Sequence, residues 1–278
     1  DEVLVYGTVA YGEHLFGNSK YLSVEMRTCL SLVMLFVLGT SRALPVDSVS
    51  EEDPELTAGY FEGDIVLNAA PRNGMSNTSL QWPNGIVYYK FWEGFFDQVQ
   101  ETLIKGAMKT IEEVSCIRFV LADDDQPYFI NITGNPGGCY STVGFTDDIQ
   151  KYNLEPFPIN QGCFRIGTMI HEMLHTLGFY HMQSTFNRDE YVQIVSENVN
   201  PQHLYNFNKY DKDMIEDFGE AYDYGSILHY SPLAFSANGG KTIEPLQDVP
   251  EGIMGQRVAL SESDISKLNK MYNCAEKD

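Results

Sequence analysis

The chain has 278 residues, enough for one large domain or two modest ones, and its 43% hydrophobic content excludes a wholly disordered polymer. Acidic residues outnumber basic ones by 39 to 18, so the net charge of −21 repels phosphate backbones and anionic lipid headgroups and argues against nucleic acid as a partner. Many Phe, Tyr, Gly and Pro residues without an internal repeat suit a compact, loop-rich fold rather than a coiled coil or repeat array.

In chain order, the first informative segment is Met26–Ala43, MRTCLSLVMLFVLGTSRA. Arg27 followed by the apolar run Cys29–Gly39 and the small-residue pattern Ser41-Arg42-Ala43 reads as a signal peptide, so the product is expected to be secreted and extracellular. The run is too short to span a bilayer, and no membrane anchor is expected. Because a signal must be N-terminal to work, Met26 is the expected start and residues 1–25 an upstream extension. Residues 44–72 are acidic, lack helical periodicity and end at Arg72, which fits a propeptide; 73–278 is then the mature part. With Cys29 removed, Cys116, Cys139, Cys163 and Cys274 remain, an even set for an oxidising compartment, with three pairings open. Asn77-Thr78-Ser79 and Asn131-Ile132-Thr133 are acceptor sequences for N-glycosylation.

Farther along, WPNGIVYYKF (82–91) predicts a strand after a turn. Val99, Leu103, Ala107, Ile111 and Val114, with Ile104 and Met108 beside them, predict an amphipathic helix. CIRFVLA, YFINIT and GGCYSTVGF read as short extended segments, so a small mixed α+β layer is implied.

The segment FRIGTMIHEMLHTLGFYH (164–181) carries the chemistry. On a helix, His171 and His175 lie one turn apart on one face and can reach one ion. Gly178 can take the positive φ that ends the helix, so that the chain turns back and presents His181 as a third ligand. Three neutral imidazoles leave a fourth position on one zinc ion for water, the catalytic arrangement, and Glu172 is placed to take a proton and hand it to a leaving amine. With six His and 23 Gly in the chain, this H-E-x-x-H-x-x-G-x-x-H pattern arises by chance on the order of once in 10⁵ such sequences.

The sequence resembles the astacin family of metzincin zinc proteases from about Phe61 to Cys274. The family's continuation after the third histidine is matched by Arg188, Asp189, Tyr191 and Val192, and YDYGSILHY (222–230) is similar to its tyrosine-bearing turn. The resemblance implies an α+β fold with two subdomains flanking a cleft, the N-terminal half holding a mixed sheet and long helices and the C-terminal half irregular with a terminal helix. It further implies that 73–278 is a peptidase domain acting on peptide or protein substrates. Tyr230 is implied as transition-state support, and the pairings Cys116 with Cys274 and Cys139 with Cys163 follow from the same source. GCYSTVG (138–144) resembles the edge strand that receives substrate backbone, TIEP (242–245) and the terminal SESDISKLNKMYNC also match, and Ser261 with Asp264 forms a helix start. In FEGDIVL, Asp64 resembles a propeptide aspartate that takes the water position on zinc, which makes the precursor a zymogen.

Two positions depart from the family. Its turn methionine is Leu228 here, an apolar near-isostere, and the Glu that usually follows the third histidine is Met182, which cannot pair with a freed amino terminus. These departures suggest the alternative of a catalytically weak zinc-binding or adhesion protein on the same scaffold. Retention of Glu172 and all three histidines favours the peptidase. A monomer is expected.

Overall fold

The computed structural model describes residues 53–67 and 80–275, all within the compact unit Val49–Asp278. The expected extension, signal peptide, Arg72 and Asn77 lie outside the described residues. The first half is built on a six-stranded sheet of β1 (Ile65–Val66), β2 (Ile86–Phe91), β3 (Arg118–Leu121), β4 (Phe129–Thr133), β5 (Cys139–Thr142) and β6 (Ile149–Leu154), in the order β1-β5-β6-β4-β2-β3. All pairings are parallel except β5–β6. Alternation along β4 puts Ile130 and Ile132 in the core and Phe129, Asn131 and Thr133 on the opposite face. Ahead of β2, the Pro-Asn-Gly read as a turn forms a 3-10 turn in which Asn84 and Gly85 both have positive φ.

Helix α1 (Gln98–Val114) starts at a capping box: the Asp97 carboxylate accepts from the Gln100 N–H at 2.8 Å, and the Gln100 side-chain oxygen accepts from the Asp97 N–H at 3.0 Å. Its buried stripe is Ile104, Ala107, Met108 and Ile111, narrower than the sequence suggests, because Val99 in the first turn overhangs the core and is exposed. Helix α2 (Ile166–Thr176) differs in kind: every residue from Gly167 to Thr176 is buried, so it runs through the core rather than along its surface. The fold around it joins inner-face residues such as Val87, Ile132 and Tyr152 to Met169, Met173 and, from the terminal helix, Leu268 and Met271 in one cluster.

The second half carries little regular structure beyond the two-stranded antiparallel sheet of β7 (Val192–Ile194) and β8 (Ile243–Pro245) and helix α3 (Glu262–Met271). A second core of Val192, Val199, Phe207, Tyr222, Tyr230, Ala234, Ile243 and Met254 holds it together. The two halves with their separate cores form the α+β, two-subdomain arrangement. Disulfides Cys116–Cys274 and Cys139–Cys163 tie the chain end to the start of β3 and β5 to the approach to α2.

Two helical glycines test how closely the halves are fitted. A Cβ on Gly167 would lie 2.1 Å from the Arg257 carbonyl carbon and oxygen, whereas one on Gly106 in exposed α1 would meet nothing within 4 Å. Alanine has the better helix propensity by about 0.8–1 kcal/mol, but overpacking against backbone costs about 1–3 kcal/mol. Gly106→Ala should therefore raise the urea midpoint of unfolding and Gly167→Ala should lower it. Shifts of the same sign would contradict this packing.

Candidate metal centre

The end of α2 shapes the site. Leu177 closes the helix and Gly178, at φ +106°, reverses the chain; the Gly178 N–H donates to the His175 carbonyl at 2.8 Å and the Phe179 N–H to Leu174 at 3.0 Å, a Schellman motif. The reversal carries His181 back against the two helical histidines, with ring centroids 5.2 Å from His171 and 4.7 Å from His175. All three imidazoles are buried.

Their hydrogen bonds fix their tautomers. His171 Nδ1 donates to the Ile227 carbonyl at 2.8 Å, His175 Nδ1 to the Phe179 carbonyl at 2.7 Å and His181 Nδ1 to Glu62 Oε2 at 2.9 Å. Carbonyl and carboxylate oxygens only accept, so each Nδ1 carries a proton, and each Nε2 presents a lone pair whenever its ring is neutral. Those three nitrogens converge: His171 Nε2 is 3.0 Å from His175 Nε2 and 3.3 Å from His181 Nε2. Asp64 joins them, its Oδ2 3.1 Å from His171 Nε2 and 3.5 Å from His181 Nε2, and all four ligand atoms lie within 4.8 Å of one another. Four electron pairs held this close repel one another unless a cation lies among them. Asp64 Oδ1 is also buried without a hydrogen-bond partner among the described residues. Nitrogen and oxygen donors from three histidines and a carboxylate suit zinc, and the outer bonds to each Nδ1 are the orienting contacts that metal-bound histidines use.

Charge is unevenly distributed around the centre. Burial holds His171 down at about 4, with the Arg257 guanidinium adding to the effect, while at His181 burial is outweighed by Asp64 and Glu62, which lift it to about 9. Burial would raise Asp64, but His181 and His175 hold its carboxyl well below the usual range. For Glu172 the Arg257 guanidinium offsets only part of the penalty: burial, together with the charges of Asp64 and Glu55, pushes its proton affinity well above that of an ordinary glutamate. Both its oxygens are buried without a partner among the described residues, which leaves them free to exchange a proton with a reacting group.

Several contributing residues were not anticipated in the sequence. Glu62 links three of the site's groups: besides His181 it accepts from Ser184 Oγ at 2.6 Å, and its backbone carbonyl accepts a short bond from the Tyr230 hydroxyl. Glu55 accepts from Arg257 Nε at 2.8 Å and Nη2 at 2.6 Å in a buried pair, with Glu55 Oε2 4.0 Å from His171 Nε2. Asp264 does more than start α3. It accepts from the Ser226 hydroxyl at 2.6 Å and the Ile227 N–H at 2.9 Å, so the terminal helix pins the turn whose carbonyl orients His171. Leu228 packs in the core of that turn, and its carbonyl accepts from the Met182 N–H at 3.1 Å. Met182 carries no carboxylate, and the nearly buried Lys267 ammonium lies 3.3 Å from its sulfur. Of Glu55, Glu62, Arg257 and Asp264, only Asp264 and Glu62 had a sequence signal, the one in a capping box and the other two residues before Asp64.

A sequence model of the peptidase family described as Astacin matches residues 74–273. The chain belongs to the astacin family. It is 45% identical over 227 residues to "Seminal metalloprotease 1" of Drosophila melanogaster, covering 80% of this chain and 90% of that protein. It is 36% identical over 234 residues to "Zinc metalloproteinase nas-4" of Caenorhabditis elegans, covering 81% and 72%. Among solved structures, high choriolytic enzyme 1, a hatching enzyme zinc-protease from the medaka fish Oryzias latipes, superposes with a TM-score of 0.63 at 36% identity over 71% of this chain and 96% of that one. This astacin is a zinc metalloendopeptidase that acts on peptide substrates.

If the three imidazoles are the protein's hold on zinc, His175→Ala should reduce bound zinc from one ion per chain to a small fraction, measured by metal analysis of the purified full chain. Glu172→Gln, in the same helix but not among the converging donors, should keep its full complement. Equal zinc in both variants would contradict the assignment.

Proposed function

We propose that this astacin is made as a secreted zymogen in which residues 44–72 block the cleft, and that Glu172 and Tyr230 carry the proton transfer and charge stabilisation of peptide hydrolysis. The observation that carries the reading is the position of Asp64. It sits on the approach to β1, which runs along β5 in the register Ile65↔Ser141 and Val66↔Thr142, and it brings a carboxylate among the three histidine nitrogens. The same strand covers the β5 edge: the Ser141 N–H donates to the Asp64 carbonyl at 3.0 Å and the Val143 N–H to the Val66 carbonyl at 3.3 Å. Departure of the segment would return those donors to an extended substrate, which can add to the edge as a strand. It would also remove Glu55 from Arg257 and Glu62 from His181 and Ser184. Arg72, the expected cleavage site, lies outside the described residues.

Zinc, when bound, polarises a carbonyl and lowers the pKa of a coordinated water to about 7. The protein supplies the remainder. Glu172, buried and with both oxygens unpartnered among the described residues, accepts a proton as the nucleophile attacks and returns it to the amine as the peptide bond breaks. The Tyr230 hydroxyl donates to the Glu62 carbonyl; once that acceptor has gone it is free to donate to the oxygen on which negative charge develops. Backbone donors of β5 hold the chain to be cut. Two disulfides suit an oxidising compartment, and among the described residues no helix is long and apolar enough to cross a membrane.

The test separates chemistry from latency. In the processed enzyme, Glu172→Gln should lower turnover of a quenched-fluorescence peptide by about 10²–10⁴-fold. In the uncleaved precursor, Asp64→Ala should give measurable activity where the wild-type precursor has none. Near wild-type turnover for the glutamine variant would contradict the proton-transfer role, and a fully silent Asp64→Ala precursor that still binds zinc would contradict the carboxylate block.

A further inference from the structure

The outer face of the six-stranded sheet, opposite α1 and α2, carries a groove of about 510 Å³ lined by Lys90, Phe91, Trp92, Phe129, Asn131 and Ile149, with Glu93 at its rim. Its apolar members are unusually open to solvent: Trp92 is 60% and Ile149 54% exposed. A folded acidic protein gains nothing from leaving a tryptophan and an isoleucine together on an open sheet face, so the patch calls for an occupant. Asn131 lies among them, in the sequence Phe129-Ile130-Asn131-Ile132-Thr133. Successive side chains of a strand alternate, so Phe129, Asn131 and Thr133 share the outer face while Ile130 and Ile132 are buried. In register, Asn131 stands between Lys90 on β2 and Lys151 on β6, and Ile149 stands beside Phe129. Both lysines are engaged with groups other than the Asn131 amide: Lys90 Nζ reaches Asp124 at 3.5 Å and lies over the Phe129 ring, 5.1 Å from its centre, and Lys151 Nζ reaches the Tyr60 hydroxyl at 3.5 Å. The Asn131 amide, half-buried, makes no hydrogen bond to any described residue.

We propose that Asn131 carries an N-linked glycan whose first sugar covers this groove, packing its C–H face against Phe129 and Trp92. The transfer needs a lipid-linked oligosaccharide diphosphate. A C–N bond forms between the sugar's anomeric carbon and the Asn131 side-chain nitrogen, the anomeric C–O bond to diphosphate breaks, the amide loses one proton and the lipid diphosphate leaves. The Asn-x-Thr spacing meets the acceptor requirement, and Thr133 keeps its place through a 2.7 Å bond from its hydroxyl to Asn153 Oδ1. Two residues before the asparagine, Phe129 offers an aromatic surface on the same face, the contact by which an apolar ring holds an amphipathic partner. The glycan would shield the patch from association with other chains while its polar outer sugars keep this face of the sheet wet. The inference rests on the secretory reading, because the transfer occurs on chains crossing into that pathway.

The experiment expresses the full chain in secreting insect cells twice, once with its own Met26–Ala43 and once with that segment replaced by a signal of proven activity. Reduced tryptic peptide 119–151, treated with peptide N-glycosidase in heavy-oxygen water, should show Asn131 converted to labelled aspartate in both. Asn131→Gln and Thr133→Ala should each remove one glycan's mobility shift. An unmodified Asn131 on chains exported by the substituted signal would overturn the proposal whatever the native segment does; modification only with the substituted signal would instead count against the secretory reading and leave the acceptor site standing. Packing is read separately by acrylamide quenching. Trp82 is buried, so the response reports Trp92. Quenching should rise in Asn131→Gln relative to the glycosylated protein, and equal quenching would overturn the coverage of the groove.

Discussion

Three imidazole lone pairs and a carboxylate oxygen are held closer together than uncharged or negative groups tolerate, and much of the fold serves to keep them there. His171 and His175 are fixed by their helix, His181 by the reversal at Gly178. Each ring is then locked from behind by one hydrogen bond from Nδ1, which turns Nε2 inward. The repulsion at the centre is the reason a doubly charged cation belongs there, and the reason the surrounding structure has to be rigid.

That rigidity comes from both halves of the chain. α2 is buried along its length and cannot shift without disturbing the sheet, while the carbonyl that orients His171 belongs to a turn in the other half. Asp264 connects the two demands, since the carboxylate that caps α3 also accepts from Ser226 and Ile227. Arg257 closes the arrangement from the side: its backbone lies against Gly167 and its guanidinium donates to Glu55 and to the His229 carbonyl. The N-terminal segment places three acids in the cleft at once: Glu55 accepts from Arg257, Glu62 from His181 and Ser184, and Asp64 joins the histidine nitrogens as a fourth metal donor. In the zymogen proposed above, a segment bound through several buried contacts would block the cleft more firmly than steric cover alone.

The grouping of His171, His175 and His181, with Glu172 in the same helix, was legible in the sequence because it depends on local periodicity, two residues one helical turn apart and a glycine at the stop. α1, β3, β4 and β5 were legible for the same reason. What was missed depends on distant partners. β6 was not expected, since Gln150, Lys151 and Asn153 hide its alternation, and only the pairing with β4 and β5 makes a strand of it. Glu55 and Arg257 are 202 positions apart, and nothing local distinguishes either from a solvated surface charge. Val99 fits the helical period yet stands exposed in the first turn of α1, outside the buried stripe of Ile104, Ala107, Met108 and Ile111. Met182 stands out in the sequence as a missing carboxylate, but the lysine from α3 that fills out its surroundings could not be read there.

The central claim is that the convergence of His171, His175, His181 and Asp64 is held together by a cation. Calorimetry of the precursor with one equivalent of zinc, after its removal by a chelator, and after reloading tests it most directly. The melting temperature should fall when zinc is removed and recover when it is restored, because binding to the folded state alone adds its free energy to stability. A precursor that melts at the same temperature in all three states, or that takes up no zinc, would contradict it.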